Sequence, residues 1–242
     1  MADPLDAAKA AAAAYAVAQY VRPGLRLALG TGSTAEHAVR AIRSHYPTEP
    51  FDCVASSAAT ERLAGSLGLG VRPLRGDDRF DLMLDGADEV APSLDLVKGR
   101  GGALLREKLL ARLSDRLLIV VDDTKLVGAL GQRAPVPVEV VPYCRPVLER
   151  ELARSGWTAR LRLAPHGGPW RTENGNELLD LAPVELIREP AEVDRSLRSL
   201  VGVVETGLFV GLAERAIVGS PSAAVRELRR PSDRSGTPPT PT

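Results

Sequence analysis

Short apolar runs recur along the chain at Leu25–Leu29, Phe51–Ala55, Phe80–Leu84 and Leu117–Val121, each followed by glycine, serine or aspartate. Runs of this length that are apolar on both sides of the pleat suit strands buried on both faces, as in a parallel sheet. Stretches of helical spacing separate them, one reaching about Arg43, one reaching about Leu67 and one spanning residues 103–113, with a weaker strand near Val71. Ahead of the first strand, Asp3-Pro4-Leu5-Asp6 supplies a capping aspartate, a proline at the first helical position and an acid in the first turn, so a helix runs to about Tyr20. Strands and helices in alternation predict an α/β fold, a Rossmann-like parallel sheet with helices on both faces.

The pattern changes at Gly131. Pro135, Pro137 and Pro142 punctuate an extended stretch, a helix follows from about Arg145 to Ser155, and Thr158–Leu163 alternates as a half-exposed strand does. Asn174-Gly175 is a hairpin turn signal ahead of Glu177–Leu181, and another helix is expected around Glu192–Leu200. Residues 132–204 are therefore expected to form a smaller α+β domain inserted in a large one made of residues 1–131 and 205–230. Gly207-Leu208-Phe209 and Ala216-Ile217-Val218 would return the chain to the large sheet, and residues 231–242, rich in Pro, Ser and Thr, are expected to be a disordered tail.

Composition narrows the function. The 242 residues are 44% apolar with a formal net charge of zero, enough for one large core and a small one, and Arg229-Arg230 is the only basic block, so a nucleic-acid footprint is absent. The alanine-rich first helix lacks a basic leader and is interrupted by Tyr15 and Gln19, and no apolar run is long enough to span a membrane. Cys53 and Cys144 lie far apart, and His37, His45 and His166 form no ligand motif, which fits the reducing cytoplasm and argues against a metal. Of the 31 basic residues only Lys9, Lys98, Lys108 and Lys125 are lysines. A lysine in a glycine loop and another after Asp122-Asp123-Thr124 then mark places where a compact ammonium is useful.

The candidate chemistry gathers where the strands end. Gly30-Thr31-Gly32-Ser33-Thr34-Ala35 joins a strand to a helix, the arrangement that binds phosphate at a helix N-terminus, and its three hydroxyls suit a phosphate or sugar, although turn and cap residues look the same. The spacing also fits a dinucleotide turn. The next strand, however, ends in Ser56-Ser57, where a ribose-binding acid is required, and Asp52 stands at its start. The strand at Phe80 delivers Asp85-Gly86-Ala87-Asp88-Glu89, followed by Lys98-Gly99-Arg100-Gly101-Gly102 and a helix. On that helix Glu107 has Ala103, Leu104, Leu110 and Ala111 three and four residues away, hence no local ion-pair partner. Desolvation there would raise its pKa towards that of a base for a carbon acid. A surface glutamate near a helix start is the competing reading, as turn formation is for Asp85 and Asp88 and an ordinary loop position is for Lys125.

These stretches, together with Asp123-Thr124-Lys125, Pro135–Val140 and Asn174-Gly175-Asn176, resemble the type A ribose-5-phosphate isomerase family, in its order and over nearly the whole chain. The resemblance implies interconversion of D-ribose 5-phosphate and D-ribulose 5-phosphate in the non-oxidative pentose phosphate pathway, without cofactor or metal, by a homodimer or homotetramer. It implies Glu107 as proton acceptor and substrate contacts from Thr31, Gly32, Ser33, Thr34, Asp85, Gly86, Ala87, Asp88, Lys98, Gly99, Arg100, Gly101 and Lys125. Isomerisation through an enediolate needs a base, oxyanion stabilisation and a phosphate anchor, so Lys98 is expected to offset enediolate charge while Asp85 and Asp88 handle hydroxyl protons and ring opening. Family members often carry a lysine on the first helix, where this chain aligns Ala10 or Ala11, so Lys9 is not expected at the substrate. The alternative is a sugar-phosphate-sensing effector domain, which would need no Glu107 and would follow a DNA-binding module larger than the two dozen or so residues before the first strand.

Overall fold

The computed structural model describes residues 3–231 of the chain, and the expected tail beyond Pro231 lies outside them. Helix α1 (Pro4–Tyr20) begins as its sequence dictates, with the Asp3 carboxylate accepting the Leu5 N–H at 3.0 Å and proline in the first turn. It is followed by β1 (Arg26–Leu29), α2 (Ser33–His45), β2 (Asp52–Ala55), α3 (Ala58–Ser66), β3 (Gly70–Val71) and β4 (Leu82–Asp85). Two short strands, β5 (Glu89–Val90) and β6 (Leu96–Val97), then lead to α4 (Leu104–Arg112) and β7 (Leu117–Asp122). The remaining elements are β8 (Val136–Val140), α5 (Arg145–Arg154), β9 (Trp157–Leu161), β10 (Glu177–Pro183), α6 (Pro190–Arg198), β11 (Val203–Thr206), β12 (Leu208–Phe209), β13 (Arg215–Gly219) and β14 (Val225–Arg229).

Seven strands form the main sheet in the order β14-β13-β7-β4-β1-β2-β3, parallel except for β14, which pairs antiparallel with β13 at the edge. Alternate residues of each central strand enter opposite cores. Leu118 and Val120 pack with Leu27, Leu29 and the apolar stripe of α1, while Ile119 and Val121 pack with Met83, Leu110 and Phe209. Small residues let α1 lie close: a β-carbon on Gly219 would stand 2.0 Å from the Ala8 carbonyl oxygen. From β1 the chain progresses outward to β2 and β3, then returns to β4 on the other side of β1. That reversal makes a topological switch point at the carboxyl ends of β1 and β4, where open α/β sheets bind ligands.

The α/β fold is as expected, with one departure in how its parts connect. Leu208-Phe209 does not rejoin the large sheet; it pairs with Leu96-Val97 in a separate three-stranded sheet, β12-β6-β5, beside the main one. A two-residue strand has no alternation to show which sheet it joins. The proline-punctuated stretch after Gly131 is β8, an interior strand of the four-stranded sheet β11-β8-β10-β9, despite Pro137. Pro137 is tolerated because β11 ends opposite Val138, so its missing N–H faces no strand carbonyl, and its own carbonyl still accepts the Gly207 N–H at 2.6 Å.

Candidate active site

Three strand ends converge at the switch point. The turn after β1 presses against the end of β4: Gly30 N–H donates to the Leu84 carbonyl at 2.9 Å, and a β-carbon on Gly30 would stand 2.0 Å from Asp85 Oδ1. Only glycine permits that approach. Asp85 Oδ1 then accepts the N–H groups of Thr31 at 3.2 Å and Gly86 at 2.7 Å. The Thr31 hydroxyl is paired with Ser56 Oγ at 2.7 Å, which ties the turn to the end of β2. No side chain caps α2, whose N-cap is Gly32, so its first-turn N–H groups face the crevice with the Ser33 and Thr34 hydroxyls beside them.

Opposite this turn, the loop after β6 delivers Lys98. Its Nζ donates to the Gly86 carbonyl at 2.7 Å and stands 2.9 Å from Asp85 Oδ2 and 3.3 Å from Glu107 Oε2. Lys98 and Glu107 are 3% exposed and Asp85 is 1% exposed, so three charged side chains share one dry space. Neither Asp85 Oδ2 nor Glu107 Oε2 has a well-aligned hydrogen-bond donor. Burial pushes the Glu107 carboxyl up to about 8; Lys98 opposes the rise and Asp85 adds to it. Asp85 is also raised by burial, against the pull of Lys98 and the Gly86 and Thr31 amides. Burial alone would lower Lys98, but Asp85 and Glu107 hold it above the ordinary lysine value. At neutral pH the trio therefore holds an ammonium beside a carboxyl that can accept or release a proton.

A cavity of about 310 Å³ lies over this cluster, at the small end of the range for ligand pockets. Thr31, Gly32, Ser33, Thr34, Gly86, Ala87, Asp88, Lys98, Gly99, Arg100, Gly101, Glu107 and Lys125 all line it. Asp85 does not. It was expected to touch substrate, but it lies beneath the floor with its oxygens turned to Thr31, Gly86 and Lys98. Glu107 has no ion-pair partner along its own helix, as expected, but it does not stand without a counter-ion, because Lys98 reaches it from across the glycine loop. Lys9, set aside on sequence grounds, reaches the cavity from α1, with Nζ 3.9 Å from Asp122 Oδ2. The signal for it was present: Lys9 falls three, four and seven residues before Ala12, Ala13 and Ala16 on the buried stripe.

The last two acids of the Asp85–Glu89 stretch support the loops around the cavity. Glu89, fully buried, accepts the N–H groups of Gly131 at 2.7 Å, Ala134 at 2.8 Å and also Arg133, fixing the loop before β8. Asp88 Oδ2 accepts the Arg100 N–H at 3.0 Å and so shapes the glycine loop. A second cavity of about 680 Å³ shares Asp88, Arg100 and Lys125 with the first and is bounded beyond them by Arg133, Arg162 and Asp180. Among the described residues no three His, Cys, Asp or Glu side chains converge as metal ligands would, and no helix is long and apolar enough to cross a membrane.

The chain resembles known proteins in sequence and in fold. The pattern of the family described as ribose 5-phosphate isomerase A (phosphoriboisomerase A) matches residues 52–223. Ribose-5-phosphate isomerase A of Thermomicrobium roseum is 47% identical over 228 residues, covering 93% of this chain and 94% of that protein. The solved ribose 5-phosphate isomerase of Plasmodium falciparum superposes with a TM-score of 0.87 at 32% identity, over 93% of this chain and 99% of its own. A D-ribose-5-phosphate isomerase solved in complex with phospho-erythronic acid gives the same TM-score, identity and coverage.

Proposed function

The chain belongs to the ribose 5-phosphate isomerase A family, and from that premise we propose how its site performs the aldose–ketose isomerisation of D-ribose 5-phosphate and D-ribulose 5-phosphate. The observation that carries the reading is a desolvated carboxyl, Glu107, in the wall of a cavity lined otherwise by hydroxyls, backbone amides, cations and one further carboxylate, Asp88. The substrate phosphate sits at the uncapped start of α2 with Thr31, Ser33 and Thr34, where the helix dipole and the Lys9 and Lys125 ammoniums favour a dianion. This places the carbonyl end of the sugar over Lys98 and Glu107.

Ionised Glu107 takes the proton from C2 of the open-chain aldose, and the electron pair left behind forms the C1–C2 double bond of an enediolate. The negative charge passes to O1, where the Lys98 ammonium meets it in a low-dielectric setting. Asp88 exchanges the hydroxyl protons, taking one from O2 and supplying one to O1, and in the same position assists furanose opening. Glu107 then returns its proton to C1, and ketose results. Asp85 serves from below, holding Lys98 in place rather than touching the sugar. The sensing-domain alternative has no use for a carboxyl so placed.

Glu107→Gln tests this. The amide keeps the shape and cannot accept the proton, so turnover of ribose 5-phosphate in a coupled assay should fall by about 10²–10⁴-fold with KM within a few-fold. A variant near the wild-type rate removes Glu107 from the mechanism. We further propose a cytoplasmic homodimer or homotetramer, with a small domain that begins near residue 132, as expected from sequence, and ends with β11 at Thr206 instead of at residue 204. Two unpaired cysteines support the compartment. Tyr143 and Val201, 92% and 88% exposed near the end of β8 with Val141 and Val147, supply an apolar surface for self-association.

A further inference from the structure

One buried cation near the site takes no part in the steps above. Lys108 follows Glu107 on α4 and is 3% exposed, with Nζ 2.8 Å from Glu205 Oε1, 3.3 Å from Thr206 Oγ1 and 3.5 Å from Asp194 Oδ1. The Thr206 hydroxyl also donates to Asp194, and Arg198 flanks both carboxylates at 3.7 and 3.8 Å. This cluster ties α4 to α6 and β11.

The same short segment reaches the catalytic lysine. Lys98 N–H donates to the Gly207 carbonyl at 2.9 Å, and a β-carbon on Gly207 would stand 2.3 Å from the Lys98 carbonyl oxygen, so glycine is required for the contact. Two residues on, the fully buried Phe209 presents its ring to both ammoniums, with the centroid 5.3 Å from Lys98 Nζ and 5.2 Å from Lys108 Nζ. Residues 205–209 thus hold Lys108 by charge, Lys98 by its backbone, and both by one aromatic face.

We infer that Phe209 is a positioning residue for the isomerisation, its ring braced by the Lys108–Glu205–Asp194 cluster and holding the Lys98 ammonium where it serves both Asp85 and Glu107. The inference rests on the reading of Lys98 and Glu107 given above. A lysine has a long flexible stem and loses much rotamer freedom when pinned. Its attraction to an aromatic face in desolvated surroundings is strong enough to bias its position about tenfold or more. Asp85 is the nearer partner, at 2.9 Å against 3.3 Å for Glu107, so a Lys98 freed from the ring settles on Asp85 and leaves Glu107 without its counter-charge. The charged groups facing Glu107 are Lys98, Asp85 and Asp88, and Lys98 alone favours its ionised form.

Phe209→Leu, which keeps an apolar side chain and removes the ring, is the test, read as kcat, KM and the pH profile of kcat/KM. The expected result is a kcat lower by about tenfold or more with KM within about threefold, and a rising limb of kcat/KM moved at least about half a pH unit higher. Lost packing alone would lower thermal stability and leave the limb in place. A folded Phe209→Leu enzyme with an unmoved limb, or with only KM altered, overturns the inference. If that variant does not fold, Thr206→Val keeps a similar shape and removes the hydroxyl between Lys108 and Asp194. It should lower kcat about threefold or more and move the limb the same way, and an unchanged profile there overturns the inference equally. Glu107→Gln separates the two levels: full activity in that variant defeats the reading of the site, whereas an inactive Glu107→Gln beside an unmoved Phe209→Leu defeats only the positioning role.

Discussion

Replacing Glu107 by glutamine should stabilise the protein, by an amount that grows with pH. Burial pushes this carboxyl up to about 8 from an ordinary 4.5, so the folded chain keeps a proton that the unfolded chain releases. Between those two values the folded state binds more protons than the unfolded state, and stability falls as pH rises. The gap of about 3.5 pH units, at roughly 1.4 kcal/mol each, amounts to about 5 kcal/mol that is present below pH 4.5 and lost by about pH 8. Glutamine has no proton to lose and escapes the penalty. Equilibrium urea unfolding of both proteins at pH 5 and pH 9 isolates the effect, because every other titrating group is common to the pair. Near-equal stability at pH 5 and a glutamine variant several kcal/mol more stable at pH 9 is the expected pattern. Parallel stabilities at both pH values would mean that Lys98 cancels the burial and that Glu107 is not held protonated in the free enzyme. On the expected pattern the same substitution raises stability at high pH while removing most of the turnover, the trade that follows where a site keeps a charge the fold would rather neutralise.

Two further outcomes follow from the same geometry. The kcat/KM of the wild-type enzyme should climb about tenfold per pH unit below an apparent pKa near 8 and level off above it, whereas a profile flat from pH 6 to 9 contradicts Glu107 as the base. Gly30→Ala would place a β-carbon 2.0 Å from Asp85 Oδ1, so thermal denaturation should show a loss of about 1–3 kcal/mol and kcat/KM should fall more than about tenfold; a variant with wild-type stability and rate would show that the Asp85 carboxylate moves aside freely.

Much of this was legible along the chain, for reasons that also mark where legibility ends. β1, β2, β4 and β7 are apolar on both faces and close in glycine, serine or aspartate, so their positions and their parallel pairing followed from local pattern. The cavity residues on the two glycine turns could be named because turns and helix starts are local objects. The Lys98–Glu107 pair was not visible, since helical spacing reveals neighbours three and four residues away, and Lys98 arrives from outside the helix. Asp85 was placed in contact with substrate because sequence shows that a strand delivers a carboxylate, not how deep it stops. Lys9 shows at the site only when its helix is read by its buried alanine face. β5, β6 and β12 are two residues each, below the length at which alternation means anything.

The buried glutamates differ in how they are solvated, and the difference fits Glu107 for the role proposed for it. Glu89 accepts three backbone amides of the 131–134 loop, and one oxygen of Glu139 accepts from the side chains of Thr172, Asn174 and Asn176. Each gathers groups from a loop that must be held still, and removing either would strand several buried donors at once. Glu107 gathers no such set: the residues three and four away on its helix are aliphatic, and its Oε2 meets one ammonium without a well-aligned hydrogen bond. Burial without compensating donors is what lifts its proton affinity, and the single mobile-stemmed lysine beside it is what keeps the ionised form within reach. A second fixed donor on Glu107 would make it easier to ionise and correspondingly weaker as a base, so the sparse solvation of this one side chain is as much a part of the site as the glycine turns that surround it.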